Sequence, residues 1–482
     1  MTAPRDAGLK LLRQHALIGG EAVTGTARIA VDDPATGEIL GHVPDLGAAE
    51  TERAIRAAAD AFPEWSRSDP HRRAQILRDW AALVDENTDG LAALMALENG
   101  KPFAEARGEV AYANGFLKWF AGEAERLIGE TQDSPLGHLI LTFRQAVGPC
   151  ALITPWNFPA AMLTRKLGPA FAAGCTAVVK PASQTPFTAI ALAELADRAG
   201  LPGGVLSVVT GDAATVGGVL TASPLIRKLS FTGSTPIGRL LAGQCAPTLK
   251  RVSMELGGAA PLIVFADADL DLAAEETVKG KFRNAGQTCV CPNRVYVEAP
   301  VAEAYAAKLA ERVAALKVGG AFEDGVKVGP LIEDRALGKV EAHLAALKAD
   351  GARVLTGGGR HALGGRFFEP TVTLGGDDRL FREEETFGPL VPVFSFGSED
   401  EVVAKANDSP FGLASYLFTR DLDRAMRISR RIEAGLCGVN TGLMSTPIAP
   451  FGGVKQSGYG REGSIHGIDE YLDVKAVTLA LK

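Results

Sequence analysis

Between residues 147 and 231 short apolar runs alternate with stretches of helical period, and this limits the fold more than any other feature of the chain. The runs at 147–154, 176–180, 205–209 and 226–231 are too short for helices and read as strands. Residues 160–173, 185–199 and 213–220 carry apolar side chains at helix spacing. Parallel strands need a crossover between them, normally a helix, and a sheet covered on both faces has continuously apolar strands. The expectation is a doubly wound α/β sheet. A second α/β unit begins near Gly257, with strands at 260–266 and 295–297 and helices at 269–282, 302–316, 334–349, 399–408 and 421–434.

Upstream, residues 9–47 read as short strands and turns, 48–122 as helices and 138–146 as an exposed strand. Residues 356–365 form a Gly-rich loop, and 471–481 alternate like a strand. No repeat or flexible linker separates the two α/β units, so they are expected to pack closely with a ligand cleft between them.

The balance of 50 basic and 57 acidic residues, net charge -7, leaves no electrostatic footprint for nucleic acid or an anionic membrane. No apolar run approaches the roughly 20 residues needed to span a bilayer, and residues 1–20 lack a signal-peptide core, so a cytoplasmic location is expected. Six cysteines in 482 residues are too sparse for a disulfide scaffold. No histidine or cysteine cluster has zinc spacing, so no metal is expected.

The stretch Lys281-Phe282-Arg283-Asn284-Ala285-Gly286-Gln287-Thr288-Cys289-Val290-Cys291 carries the chemistry. A small-residue turn runs into a Gln-Thr-Cys tip, which presents a thiol at the end of a helix. Cysteine is a strong nucleophile because part of it is thiolate near neutral pH. A free Cys is by itself more often a small core residue. Four further words accompany this one: Pro155-Trp156-Asn157-Phe158-Pro159, Phe231-Thr232-Gly233-Ser234-Thr235, Met254-Glu255-Leu256-Gly257-Gly258 and Glu385-Thr386-Phe387-Gly388-Pro389. In this order the set resembles the signature of the aldehyde dehydrogenase superfamily over nearly the whole chain. Thr164-Arg165-Lys166, Cys289-Val290-Cys291 and Gly460-Arg461-Glu462-Gly463-Ser464 resemble its succinate-semialdehyde dehydrogenase branch.

The resemblance implies an aldehyde dehydrogenase-like α/β fold: a Rossmann-like NAD(P)-binding domain from 1–127 and 147–256, an α/β catalytic domain from 257–440, and a small β oligomerisation domain from 128–146 and 470–482. It implies a homo-oligomer, dimer or tetramer, and a setting in GABA degradation. Cys289 becomes the nucleophile that gives a thiohemiacetal and then a thioester. Asn157, with the Cys289 N–H, becomes the oxyanion donor, a role worth roughly 10²–10³ in rate per donor. Glu255 becomes the base that activates water for thioester hydrolysis, a task suited to a partly desolvated carboxylate. Without the resemblance, Asn157 reads as a turn residue and Glu255 as a solvated strand carboxylate.

For the cofactor, NAD or NADP, the resemblance implies Trp156, Lys180, Ser183, Gly233, Ser234, Glu385 and Phe387. Glu383 and Glu384 read as solvated charges. Gly233-Ser234 lies where a strand end meets a helix start, a place that favours phosphate. Pro236 departs from the Glu common in this motif and suits a first helical turn. Gly458-x-Gly460-x-x-Gly463 fits the dinucleotide fingerprint by letter but has no βαβ unit after it, and is set aside. Ser183 stands where many NAD-preferring relatives have Glu. It removes a repulsion toward a 2′-phosphate, so NADP is expected to be accepted and is the candidate preference.

Arg165, Arg283 and Ser445 match the residues that grip the distal carboxylate of the aldehyde in that branch, and guanidinium pairs with carboxylate through a rigid fork. Glutarate semialdehyde, one methylene longer, is the nearest competing substrate, since a pocket separates such neighbours by about 1–3 kcal/mol. A non-catalytic protein on the same scaffold and a CoA-acylating relative are the other readings. Cys289, Glu255 and Asn157 together stand against the first, and Glu255 against the second. Cys291, two residues from the nucleophile, is a redox-switch candidate. The other cysteines, Cys150, Cys175, Cys245 and Cys437, read as core residues.

Overall fold

The computed structural model describes residues 4–480. Two large sheets form, each covered by helices. The first has eight strands in the order Glu21–Val23, Ala16–Ile18, Leu206–Val208, Ala177–Lys180, Cys150–Ile153, Lys228–Thr232, Arg251–Glu255 and Gly458–Tyr459. The five strands from Leu206–Val208 to Arg251–Glu255 are parallel, as the alternation requires. They are buried along their length, Cys150–Ile153 and Arg251–Glu255 becoming half-buried at one end. Antiparallel strands pair with both outer members.

The second sheet has seven strands in the order Arg353–Thr356, Thr371–Leu374, Leu390–Phe396, Arg294–Glu298, Pro261–Val264, Ala414–Phe418 and Leu436–Val439. Periodicity identified Pro261–Val264 and Arg294–Glu298. The other five escaped it because irregular loops separate them and leave no clean change of period. A third, antiparallel sheet joins Leu472–Leu479, Leu139–Ala146 and Thr131–Asp133. It is exposed or half-buried along nearly its whole length, and it pairs the exposed strand read at 138–146 with the strand read from alternation at 471–481.

The helices Ala48–Trp65, Pro70–Glu86, Thr88–Asn99 and Phe103–Ala124 occupy the region read as helical. Near the N-terminus, Pro4–Leu11 is a helix, so residues 9–11 correct the reading of that stretch as strand and turn. The chain there is too short for its period to be distinguished. Residues 481 and 482, at the end of the anticipated C-terminal strand, lie outside the described residues, as do 1–3. No helix among the described residues is long and apolar enough to cross a membrane.

Gly458 explains the false fingerprint. It lies on an edge strand antiparallel to Arg251–Glu255, with φ +112°. A Cβ there would stand 1.8 Å from the Met254 carbonyl oxygen. The glycine permits close backbone approach at a sheet edge.

Candidate active site

The first sheet brings its functional groups to the carboxyl ends of its parallel strands, where open α/β sheets bind ligands. Cys150–Ile153 leads into the bend at Trp156 and Asn157, ahead of the helix Ala161–Ala173. Arg251–Glu255 ends on Glu255. Lys228–Thr232 runs through Gly233 and Ser234 into the helix Thr235–Cys245. These ends face a cavity of about 470 Å³ whose lining includes Trp156, Asn157, Gly233, Ser234, Glu255, Cys289, Glu385 and Phe387. Residues far apart in sequence thus meet as the motifs led one to expect.

Cys289 arrives by a strained route. The helix Leu270–Phe282 stops, and Asn284, Ala285 and Gly286 follow with φ of +50°, +54° and +77°. An L-residue in this region costs roughly 1–2 kcal/mol. The conformation is held from several sides. The Asn284 N–H donates to Glu105 Oε2 at 2.8 Å, and its Nδ2 donates to the Asn157 carbonyl at 2.9 Å. Gln287 Nε2 donates to the Asn284 carbonyl at 3.0 Å, and Gln287 Oε1 accepts the Ile332 N–H at 3.0 Å. Cys291 N–H then donates to the Thr288 carbonyl at 3.1 Å, closing a turn with Cys289 as its first central residue. That position leaves the Cys289 N–H outside the turn's own hydrogen bond.

Burial pushes the Cys289 thiol up to about 12; Glu385 adds to the shift and Arg165 opposes it. Glu255 is 3% exposed, and neither carboxyl oxygen has a hydrogen-bond partner. Burial, then the neighbouring Glu462, raises its pKa well above the ordinary carboxylate range, against Lys166 and Arg165. Burial also lifts Glu385 to about 8, opposed mainly by Lys339. Phe387, at φ +53°, meets the Trp156 ring edge-on with centroids 5.6 Å apart. Asn157 Nδ2 donates to the Gln287 carbonyl at 3.0 Å; an amide nitrogen has two hydrogens, so one remains.

The cavity also has the features of a dinucleotide site. The helix Thr235–Cys245 has no side-chain cap on its first N–H groups, and Pro236 occupies its first turn. Thr232 lines the same space, and its hydroxyl is buried without a partner. Lys180 and Ser183 do not line this cavity; they sit at and just beyond the end of Ala177–Lys180. Lys180 Nζ donates to the Pro181 carbonyl at 3.1 Å. Burial lowers its pKa to about 8, with Asp212 and Asp45 opposing.

Arg165, Arg283 and Ser445 do not line the cavity either. Arg165 is 1% exposed, donates to the Tyr112 hydroxyl, lies 3.5 Å from Glu462 and stacks 4.1 Å from the Phe451 ring centroid. Arg283 is half-buried 5.0 Å from the Phe158 ring centroid, and its Nε has no partner. Ser445 is half-buried. Cys291 is buried; its thiol donates to the Gly286 carbonyl at 3.2 Å and receives Lys281 Nζ at 3.7 Å. Glu383 and Glu384 are exposed, as read.

Several residues of the site escaped the sequence reading. Lys166 is fully buried and donates to Glu462 at 2.6 Å and to Ser230 Oγ at 2.8 Å. Its signal was its place beside Arg165, the two charges of a helix that is otherwise largely apolar. Glu333, Arg335 and Lys339 line the far wall from the helix start at Asp334–Ala349 and gave no local signal.

Residues 22–477 match the aldehyde dehydrogenase family. The chain is 55% identical over 477 residues to the glutarate-semialdehyde dehydrogenase of Pseudomonas aeruginosa, covering 98% of each. It is 53% identical over 478 residues to the NADP(+) succinate-semialdehyde dehydrogenase of Escherichia coli, again covering 98% of each. The crystal structure of succinate-semialdehyde dehydrogenase from Burkholderia pseudomallei superimposes with a TM-score of 0.97 at 54% identity, covering 98% of this chain and 99% of that one. A cavity that gathers a thiol, an amide and an unpartnered carboxyl beneath an uncapped helix start, in a chain this similar to those enzymes, leads to one conclusion: the protein belongs to the aldehyde dehydrogenase family.

Proposed function

We propose that the protein oxidises succinate semialdehyde to succinate with a nicotinamide dinucleotide, glutarate semialdehyde being the nearest competing substrate. The observation that carries this reading is the convergence of Cys289, Asn157 and Glu255 on one cavity that continues to the start of the helix Thr235–Cys245.

Cys289 attacks the aldehyde carbon and forms a thiohemiacetal. Burial disfavours its thiolate, so attack requires that the thiol proton pass to solvent as the carbon–sulfur bond forms. The remaining Asn157 amide hydrogen and the Cys289 N–H serve the oxygen on which charge develops. When bound, the nicotinamide supplies the hydride acceptor that takes the thiohemiacetal to a thioester. Glu255 then takes a proton from the water that releases the acid. Gly233, Ser234 and the free N–H groups of the following helix would hold the pyrophosphate. Glu385 would hold the nicotinamide ribose, and Trp156 and Phe387 would pack beside it.

Arg283 keeps an unpartnered Nε on a half-buried side chain, which suits a distal carboxylate. Arg165 is already engaged by Tyr112 and Glu462, so its contribution is a positive field behind the site. NADP is the proposed preferred cofactor: Ser183 adds no charge where a carboxylate would repel a 2′-phosphate, and Lys180 ends the strand three residues before it. The domain boundaries, the oligomerisation role of the third sheet, a dimer or tetramer and the Cys289–Cys291 switch belong to the same proposal.

Initial rates with succinate semialdehyde, glutarate semialdehyde and an uncharged aldehyde, each with NAD and NADP, test it. Fast turnover of the acidic aldehydes, absent in Cys289→Ala, is the expected result. Preference for the uncharged aldehyde overturns the substrate assignment. A cofactor preference unmoved by Ser183→Glu overturns the NADP argument.

A further inference from the structure

We infer that Lys101 is a positioning residue for the Asn157 amide, acting with Glu109 to fix the backbone on both sides of Phe158. The inference rests on Asn157 as the oxyanion donor. Lys101 follows the end of the helix Thr88–Asn99, and its side chain and that of Glu109 are each 1% exposed. Lys101 Nζ donates to the Glu109 carboxylate and, at 2.7 Å, to the Asn157 carbonyl. It also stands 4.3 Å from the Phe158 ring centroid. The other Glu109 oxygen accepts the N–H groups of Ala160 and Ala161 at 3.0 and 3.2 Å. These open the helix Ala161–Ala173, which has no side-chain cap of its own.

A buried ion pair is poor evidence for stability, because losing two hydration shells often cancels the attraction. An apolar pair of similar volume would fill the same space. It would not satisfy one carbonyl and two N–H groups of the 157–161 bend, and that is the service this pair performs. The same stretch of chain supplies a third anchor, since Asn99 Nδ2 donates to the Trp156 carbonyl at 3.0 Å. An oxyanion donor works only when it is held at the place where charge develops, so groups that fix its backbone act on rate through it. None of these hydrogen bonds involves Cys289 itself; the cysteine segment meets the network only at the Asn157 carbonyl, which also accepts Asn284 Nδ2.

A double-mutant cycle separates positioning from general structural support. Lys101→Met, Asn157→Ala and the double variant are compared for kcat and KM with succinate semialdehyde, for the rate of Cys289 alkylation by iodoacetamide, and for Tm. A misplaced group costs up to about 10²-fold, so Lys101→Met is expected to lower kcat about 10–100-fold. KM and the alkylation rate stay near wild type, and the double variant matches Asn157→Ala alone, as coupled residues do. Losses that multiply in the double variant, or an unchanged kcat in Lys101→Met, overturn the inference. Wild-type kcat in Asn157→Ala instead removes the oxyanion reading on which it rests. If Lys101→Met does not fold, Lys101→Met with Glu109→Leu leaves no unpaired buried charge and enters the same cycle.

Discussion

The segments that bring Asn157 and Cys289 to the cavity share anchors but differ in backbone strain. Cys289 follows a left-handed run, Asn284 to Gly286, kept in place by hydrogen bonds at the turn and by packing against the Gly388 backbone. Asn157 lies in a bend tied down by side chains from the 99–109 stretch, about fifty residues earlier. Both segments use remote polar anchors, since Glu105 and the Asn157 carbonyl also hold Asn284, but only the cysteine segment adds local backbone strain. Substitutions around the cysteine should therefore register in stability as well as rate. Those around the asparagine should register in rate.

Five substitutions sharpen this contrast. Cys289→Ala removes the nucleophile and is expected to lower kcat at least about 10⁴-fold, since removing one member of a concerted catalytic set costs on that scale. Residual turnover near wild type by stopped-flow would move the chemistry elsewhere. Asn157→Ala removes one donor and should cost about 10²–10³ in kcat, with Tm nearly unchanged. A large Tm loss there would break the comparison, by showing that the bend is held through Asn157 itself.

Glu255→Gln should abolish the rise of thioester hydrolysis with pH. A carboxyl acts as a base only when ionised, and the Glu255 pKa lies well above its ordinary value. In the native enzyme hydrolysis should therefore increase with pH beyond the usual carboxylate range, and in the variant a thioester should accumulate with hydride transfer still visible as a burst. A flat native profile would remove Glu255 as the base. The smallest effect is expected for Ala285→Gly, which relieves a left-handed alanine and should raise stability by about 1 kcal/mol or less, read from urea unfolding. Gly286→Ala is its counterpart: a Cβ would stand 2.2 Å from the Gly388 carbonyl oxygen, so stability and rate should fall together. If Gly286→Ala lowers rate alone, the strain argument for the cysteine segment fails.

The uneven legibility of the site has a physical cause. Cys289, Asn157, Glu255 and Gly233 were readable because each sits in a word of small, turn-forming or apolar neighbours whose local geometry serves its chemistry. Lys101, Glu105 and Glu109 were not, because a Lys and two Glu at a helix start look like solvated charges until the partner segment is in place. Arg165 was found, but Tyr112 and Glu462, which occupy its guanidinium, lie 53 residues before it and near the C-terminus. The strands Thr371–Leu374 and Leu436–Val439 were missed because short strands set among irregular loops carry little period of their own.

From sequence alone follow the alternation that makes the first sheet parallel, the presence of a presented thiol, and the family to which the motif set belongs. Period, turn chemistry and motif spacing are properties of neighbouring residues and need no partner. Only the tertiary structure decided which charges are buried, that Asn284 and Ala285 are left-handed, and that a lysine from the helical cover reaches the Asn157 carbonyl. Those features come from contacts between distant segments, 179 residues apart for Glu105 and Asn284 and 296 for Lys166 and Glu462, and the burial that gives them their energies exists only once the segments have met.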